Sequence, residues 1–404
     1  MHHSPLLLTL TGALAGALLF GYAARRLGLS PIVGYLLAGI LIGPHTPGIV
    51  ANESLAAEMA EIGIILLMFG VGLQFHLAEL LAVRRVALPG ALVQIGIATG
   101  LGMLAARLFG WSWSGGLLFG IAISVASTVV LIRVLSDHGA LERPEGRIAI
   151  GWLVVEDLFT VLALVLLPPL LAGGNGPGAI GLAFALASGK LLLLAGFVFV
   201  AGKRLLPGML AHVERLGSPE LFILAVLTIA LGIAVGAAQL FGASMALGAF
   251  LAGMVVGQSE FGTRAADKVL PFRDVFAVVF FVSIGMLLDP SALLHQAPMV
   301  ALTLAVILVG KPLAAAVVVR VLNYPFAVGL AISVALAQIG EFSFILAALG
   351  RKLDVLPPEA TNVLVAASIL SIALNPFLFR WTGPLARRVE AVPWLDRLLN
   401  PRSD

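Results

Sequence analysis

Thirteen apolar runs, most close to the length that carries a helix across the hydrocarbon core of a bilayer, follow one another through the chain. They fall near residues 5–24, 31–50, 60–78, 87–106, 114–135, 148–171, 178–202, 219–238, 240–257, 274–288, 297–319, 325–349 and 358–380. Only 11% of the residues are charged, against roughly a quarter in a soluble domain, and 60% are hydrophobic. The sequence therefore predicts an all-α polytopic membrane protein. The first run follows MHHSP, with no Lys or Arg ahead of it, and reads as a retained span rather than a signal peptide. There is no cysteine, which excludes disulfides and regulation through the chain's own thiols.

Basic residues orient the spans. Of the 24 Lys and Arg, 19 fall on one side of the predicted topology and only Arg107, Arg351 and Lys352 on the other, while Lys190 and Lys311 lie within spans. By the positive-inside rule the N-terminus is outside and the C-terminus cytoplasmic.

The runs repeat. LAGILIG (37–43) returns as LAGMVVG (251–257), FGVGL (69–73) as VSIGM (282–286), and GIAISVA (120–126) as GLAISVA (329–335). The offset, a little over 200 residues, spans an odd number of segments, so the two copies enter the membrane from opposite sides. This predicts an inverted repeat: a first half over residues 1–171, a linker helix over 172–215, a second half over 216–382 and a cytoplasmic tail over 383–404. Inverted repeats are a construction of secondary transporters, whose sites form where helices of the two halves are interrupted.

Interruptions are legible at equivalent places. SVASTVV (124–130) sets Ser124, Ser127 and Thr128 among β-branched residues, whose hydroxyls compete for backbone groups. AQIGEFSF (337–344) sets Gln338, Gly340, Glu341 and Ser343 at the matching depth. Broken helices there would turn terminal dipoles and free carbonyls toward one centre, as an ion site requires.

Ionisable residues inside a bilayer are costly and mark function. Away from obvious span ends there are four: Glu156, Asp157, Lys311 and Glu341. GRIAIGWLVV precedes the acid pair, which sets it about 15 Å into a helix. Lys311 sits centrally in its run beside Pro312, a predicted kink. Lys190, nearer an end of the linker, is expected to snorkel.

Together, VGYLLAGILIGP (33–44), LLMFGVGL (66–73), SVASTVVL (124–131), VVEDL (154–158), FFVSIGM (280–286) and AQIGEFSF (337–344) resemble the monovalent cation:proton antiporter-2 family, in its Kef-type branch. VEDL and RAADKVLPFRD (264–274) are most similar to that branch's YbaL/RosB-type members. The resemblance implies two crossed discontinuous helices in a sodium:proton antiporter-like fold, a separate dimerisation domain, a homodimer in a bacterial inner membrane, and Asp157 as the carboxylate that binds cation and proton. The residue before that Asp varies with stoichiometry across the family and is Glu156 here, which Lys311 can pair with. Kef-type chains usually continue into a cytoplasmic nucleotide-binding domain; this one ends at NPRSD, so the membrane domain alone is expected, with that regulatory domain a partner outside it.

The expected function is exchange of a monovalent cation, potassium ahead of sodium, for protons. Asp157, Glu156, Ser127 and Thr128 are the expected binding residues, and Lys311, Gln338, Glu341 and Ser124 support them. A cation channel remains a second class; it would pass cations without moving protons. A solute symporter is disfavoured because Lys311 alone could hold an anion. No HExxH or GxSxG motif suggests an enzyme, and His45, His76, His138, His212 and His295 are scattered at ends and loops. No cofactor and no nucleic acid are expected beside the transported ions.

Overall fold

The computed structural model describes residues 5–46, 53–74, 77–172, 177–241 and 244–392, with Trp394 and Leu399. His76, the NPRSD terminus and the side chain of Lys190 lie outside what it describes. The chain order is α1 (Pro5–Arg26), α2 (Pro31–Ile42), α3 (Glu53–Leu73), α4 (Leu77–Leu108), α5 (Trp113–Ser124), α6 (Thr128–Asp137), α7 (Pro144–Ala172), α8 (Pro177–Arg215) and α9 (Pro219–Phe241). It continues as α10 (Met245–Gly257), α11 (Gly262–Met286), α12 (Leu293–Ala305), a π-helical turn (Val306–Gly310), α13 (Lys311–Val321), α14 (Phe326–Ala335), α15 (Glu341–Lys352), α16 (Pro358–Arg380) and α17 (Thr382–Glu390). Every described element is helical, as a backbone in lipid requires.

Each predicted apolar run overlaps at least one of these helices. Among the described residues, seven helical stretches are long and apolar enough to cross a membrane, and shorter apolar helices include α2, α10 and α14. Helix ends differ from hydropathy where polar residues continue a helix. α11 begins at Gly262, twelve residues before its apolar run, because TRAADKVLPF is helical without being apolar. α4 likewise starts ahead of its apolar run, at Leu77, and carries Pro89 inside it. Just upstream of Pro312, where a kink is predicted, the helix contains a π turn, in which the Lys311 N–H reaches back to the Val306 carbonyl. The predicted tail carries a helix of its own, α17.

By compactness the chain forms two units. The first comprises Met1–Ala15, Ile49–His76 and Val161–Ser283; the second comprises Gly16–Gly48, Leu77–Thr160 and Ile284–Asp404. Each takes helices from both halves that the sequence predicts. In the first, α3 and α10 approach so closely that a Cβ at Gly72 would stand 2.2 Å from the Phe250 carbonyl oxygen, and one at Gly253 2.1 Å from that of Phe69. Such separations admit only glycine. In the second, α2 meets the end of α11 in the same manner at Leu36 and Gly285. Here too α5 packs on α4, with Gly120 against the Thr99 backbone, and α15 and α13 close the site from other sides.

Candidate ion-binding site

Both interruptions lie in the second unit and meet there. α5 stops at Ser124 because Val125 and Ser127 turn extended, and α6 restarts behind Ser127, whose hydroxyl caps it by accepting the Val130 N–H at 3.3 Å. α14 stops at Ala335, and α15 restarts behind Gly340, itself extended. The two breaks touch backbone to backbone: the Gly340 N–H donates to the Val125 carbonyl at 3.0 Å, and a Cβ at Gly340 would stand 2.5 Å from the Ala126 oxygen. A side chain at position 340 would separate the crossing.

Unpaired backbone groups are costly away from water, and the first break is satisfied by named side chains. Gln94 of α4 donates its Nε2 to the Ser124 carbonyl at 3.0 Å, while its Oε1 accepts from Trp152 Nε1 of α7 at 3.1 Å. Glu156 Oε2 accepts the Ala126 N–H at 2.7 Å. The Gln338 carboxamide takes both groups of Ser127, with Oε1 accepting its N–H at 2.9 Å and Nε2 donating to its carbonyl at 3.1 Å. At the other break, Asn375 Nδ2 of α16 donates to the carbonyls of Val334 at 2.7 Å and Ala337 at 3.4 Å. Ser343 donates its hydroxyl across to the Ala122 carbonyl.

Charges complement the four half-helix ends. The N-termini of α6 and α15 carry partial positive charge and the C-termini of α5 and α14 partial negative charge. Glu156 stands at the start of α6 and Glu341 in the first turn of α15. Lys311 sits just past the end of α14, its Nζ donating to the Gln338 carbonyl at 3.4 Å. Lys311 and Glu156 feel each other electrostatically without closing a direct ion pair. The lysine expected to neutralise that acid therefore reaches it across the backbone of the second break.

Asp157 is set apart from this scaffolding. It is buried, Glu341 and Glu156 bear on it as like charges, and its Oδ2 accepts the Thr128 hydroxyl at 3.3 Å. Its Oδ1 is buried with no hydrogen-bond partner, and so is Oε1 of Glu156. A buried carboxylate oxygen without a donor is what a cation or a proton would satisfy.

The structure brings Asp157, Glu156, Thr128, Ser127, Gln338 and Lys311 together, with Glu341 coupled to Asp157. It gives the serines structural work as well: the Ser124 hydroxyl donates to the Ile121 carbonyl at 2.8 Å, and the Ser127 oxygen is engaged in capping. The carbonyls expected to be free at the first break are largely taken by Gln94, Gly340 and Gln338. Sequence reading missed Gln94, Trp152, Asn375 and Thr160, whose hydroxyl donates to the Glu156 carbonyl at 2.8 Å. Trp152, Glu156 and Thr160 lie four residues apart on one helix face, and that spacing was the available signal.

Crossed broken helices around buried carboxylates define a secondary transporter of the cation:proton exchange class. The sequence matches the family described as sodium/hydrogen exchanger, transmembrane, over residues 14–383, and the chain belongs to that family. It is 51% identical to the putative cation/proton antiporter YbaL of Escherichia coli (strain K12) over 385 residues, covering 94% of this chain and 69% of that protein. It is 32% identical to K(+) efflux antiporter 4 of Arabidopsis thaliana, covering 93% of this chain and 63% of that protein. The solved structure of the sodium proton antiporter MjNhaP1 from Methanocaldococcus jannaschii shares the fold with a TM-score of 0.69 at 19% identity, covering 94% of this chain and 97% of that one. The chain is thus a monovalent cation:proton antiporter with the sodium:proton antiporter fold.

Proposed function

We propose that this antiporter exchanges potassium for protons at Asp157. The carrying observation is the asymmetry of that carboxylate, with one oxygen held by Thr128 and the other buried without a donor. A cation seated on Asp157 and the Thr128 oxygen, with Glu156 and Ser127 beside them, and a proton on Asp157 are alternative occupants of one site. If only the cation-loaded or protonated core changes its facing, each cation carried one way obliges protons to travel the other. A hard cation suits these oxygen donors.

The potassium assignment draws on the relatives named for potassium efflux and on the Kef-type resemblance, with sodium as the alternative. The reading extends to thirteen spans in two inverted halves (1–171 and 216–382) joined by a linker (172–215), a homodimer in a bacterial inner membrane, a periplasmic N-terminus, and a cytoplasmic nucleotide-binding domain as regulatory partner. The lopsided distribution of basic residues supports the orientation; the family resemblance supports the rest.

Proteoliposomes holding the chain, a trapped pH dye and an imposed proton gradient test it. Addition of potassium should move protons in the wild type and not in Asp157→Asn. Potassium flux that moves no protons would mean a channel.

A further inference from the structure

Resting on the exchange reading above, we propose that Gln338 is a positioning residue for cation selectivity: by clamping the Ser127 peptide it fixes the gap between the Thr128 hydroxyl and the Asp157 carboxylate. Its two hydrogen bonds, 2.9 and 3.1 Å, join groups 211 residues apart in sequence, and Gln338 is fully buried. A carboxamide that accepts an N–H and donates to the C=O of one residue holds that peptide both along and across the bond, as a neighbouring strand would.

The clamped residue is the one before Thr128, so the clamp fixes where α6 begins and where the Thr128 oxygen points. Among the described residues, Asp157 alone holds that hydroxyl, at 3.3 Å. That gap admits either a hydrogen bond or a cation shared by both oxygens, and its width decides which ionic radius is held without strain. Glu156 holds the preceding Ala126 N–H, and from that anchor the clamp on the next peptide sets the direction in which the chain enters α6.

Gln338 also carries the charge of Lys311 to this point. Lys311 Nζ donates to the Gln338 main-chain carbonyl while the Gln338 side chain grips Ser127. A shift of the lysine thereby reaches Thr128 through one residue, without direct contact between Lys311 and Asp157.

The test is made on the full chain in proteoliposomes, measuring apparent KM and kcat for potassium and for sodium. Gln338→Met keeps length and loses both bonds; Gln338→Glu keeps the acceptor. Gln94→Met serves as control, because it loosens the same break at its upstream end, away from Thr128. Gln338→Met should bring the ratio of kcat/KM for the two cations to within about threefold of unity, through a roughly tenfold or larger rise in KM for the preferred cation with kcat changed less than about threefold. Gln338→Glu should restore part of the ratio, and Gln94→Met should leave it intact while lowering thermal stability. An unchanged ratio in Gln338→Met, or an equal loss of ratio in Gln94→Met, overturns the proposal. If Gln338→Met does not fold, a wild-type ratio in Gln338→Glu, judged on whether the lost donor alters selectivity at all, overturns it too. A wild type that exchanges no cation for protons would instead sink the exchange reading, which the proton signal reports separately.

Discussion

Gly72 and Gly285 make the same contact in different parts of the chain. A Cβ at Gly72 would lie 2.2 Å from the Phe250 carbonyl oxygen and 3.0 Å from the Gly253 Cα; a Cβ at Gly285 would lie 2.2 Å from the Leu36 carbonyl oxygen and 3.0 Å from the Gly39 Cα. Gly72 belongs to FGVGL and Gly285 to VSIGM, while Gly253 and Gly39 belong to LAGMVVG and LAGILIG, so each repeat supplies one partner to each contact. Backbone packing this close is how helices associate where lipid offers no hydrophobic drive between them. Gly72→Ala and Gly285→Ala should each destabilise the fold by at least about 1–3 kcal/mol, the cost of overpacking, because the obstacle is backbone and cannot rotate away. Thermal unfolding in detergent reads this out, and Gly12→Ala, with open space around it, should leave the melting temperature unmoved.

Gln94 supports the opposite prediction about polar burial. Its carboxamide bridges Trp152 and the Ser124 carbonyl in a fully buried place. Gln94→Leu keeps the volume and orphans an indole N–H and a carbonyl at once. Each buried unsatisfied group costs about 1–3 kcal/mol, so the loss should rival that of a core truncation. Trp152→Phe removes one of the two donors at stake and should cost less in the same assay.

The parts of the site legible in the sequence were those whose chemistry is conspicuous in one dimension. Adjacent acids in an apolar run, a cluster of hydroxyls and a GEF triplet all announce themselves without a fold. Gln94 and Asn375 did not, because one glutamine or asparagine in a helix gains meaning only from the carbonyl it meets, and those carbonyls lie 30 and 38–41 residues away. The first break fell inside the run the hydroxyls marked, yet the sequence could not say that its carbonyls would be taken by side chains. The twelve residues that open α11, five of them polar, were invisible to hydropathy for the opposite reason, since helicity there does not depend on apolar composition.

Topology is testable because the chain has no native cysteine. Glu142 and Lys352 are exposed and fall on opposite sides of the predicted membrane. Glu142→Cys should react with an impermeant maleimide only in inverted vesicles, and Lys352→Cys in intact cells. Labelling from the same side would break the odd count of spans between them.

Asp289 gives a pH signature outside the spans. Its carboxylate accepts from the Ser291 hydroxyl at 2.6 Å and the Ser291 N–H at 2.9 Å, and these bonds hold its pKa below the ordinary carboxylate value. A depressed pKa means the turn is supported above that ordinary value and loses support as pH falls through the lower one. Hydrogen exchange at Ser291 should thus stay protected at pH 5 and open in strong acid, whereas Asp289→Ala should be open at both.

Thr128 separates binding from turnover. Thr128→Ser keeps the oxygen on Asp157 and should exchange at close to the wild-type rate. Thr128→Ala removes it and should raise the apparent KM for the cation about ten- to 150-fold, the worth of one hydrogen bond to a charged group, while kcat changes less. Equal KM values for the two variants would remove Thr128 from the cation site.

Stoichiometry turns on Lys311. Its Nζ rests on the Gln338 carbonyl and closes no ion pair with Glu156, so no direct contact ties its proton to the one on Asp157. If Lys311 and Glu156 keep their charges throughout, Asp157 alone exchanges its proton, the cycle is one for one and the membrane potential does no work on it. If Lys311 gives up a proton in the cycle, two protons move per cation, and net charge crossing the bilayer makes the rate depend on potential, at about 2.3 kcal/mol per charge for each 100 mV. Exchange in liposomes should therefore run equally fast with the potential clamped at zero and at 100 mV of either sign, with potassium preferred over sodium under both conditions. A rate that follows the potential would assign Lys311 a proton, and Lys311→Arg, which cannot release one, should then abolish that dependence.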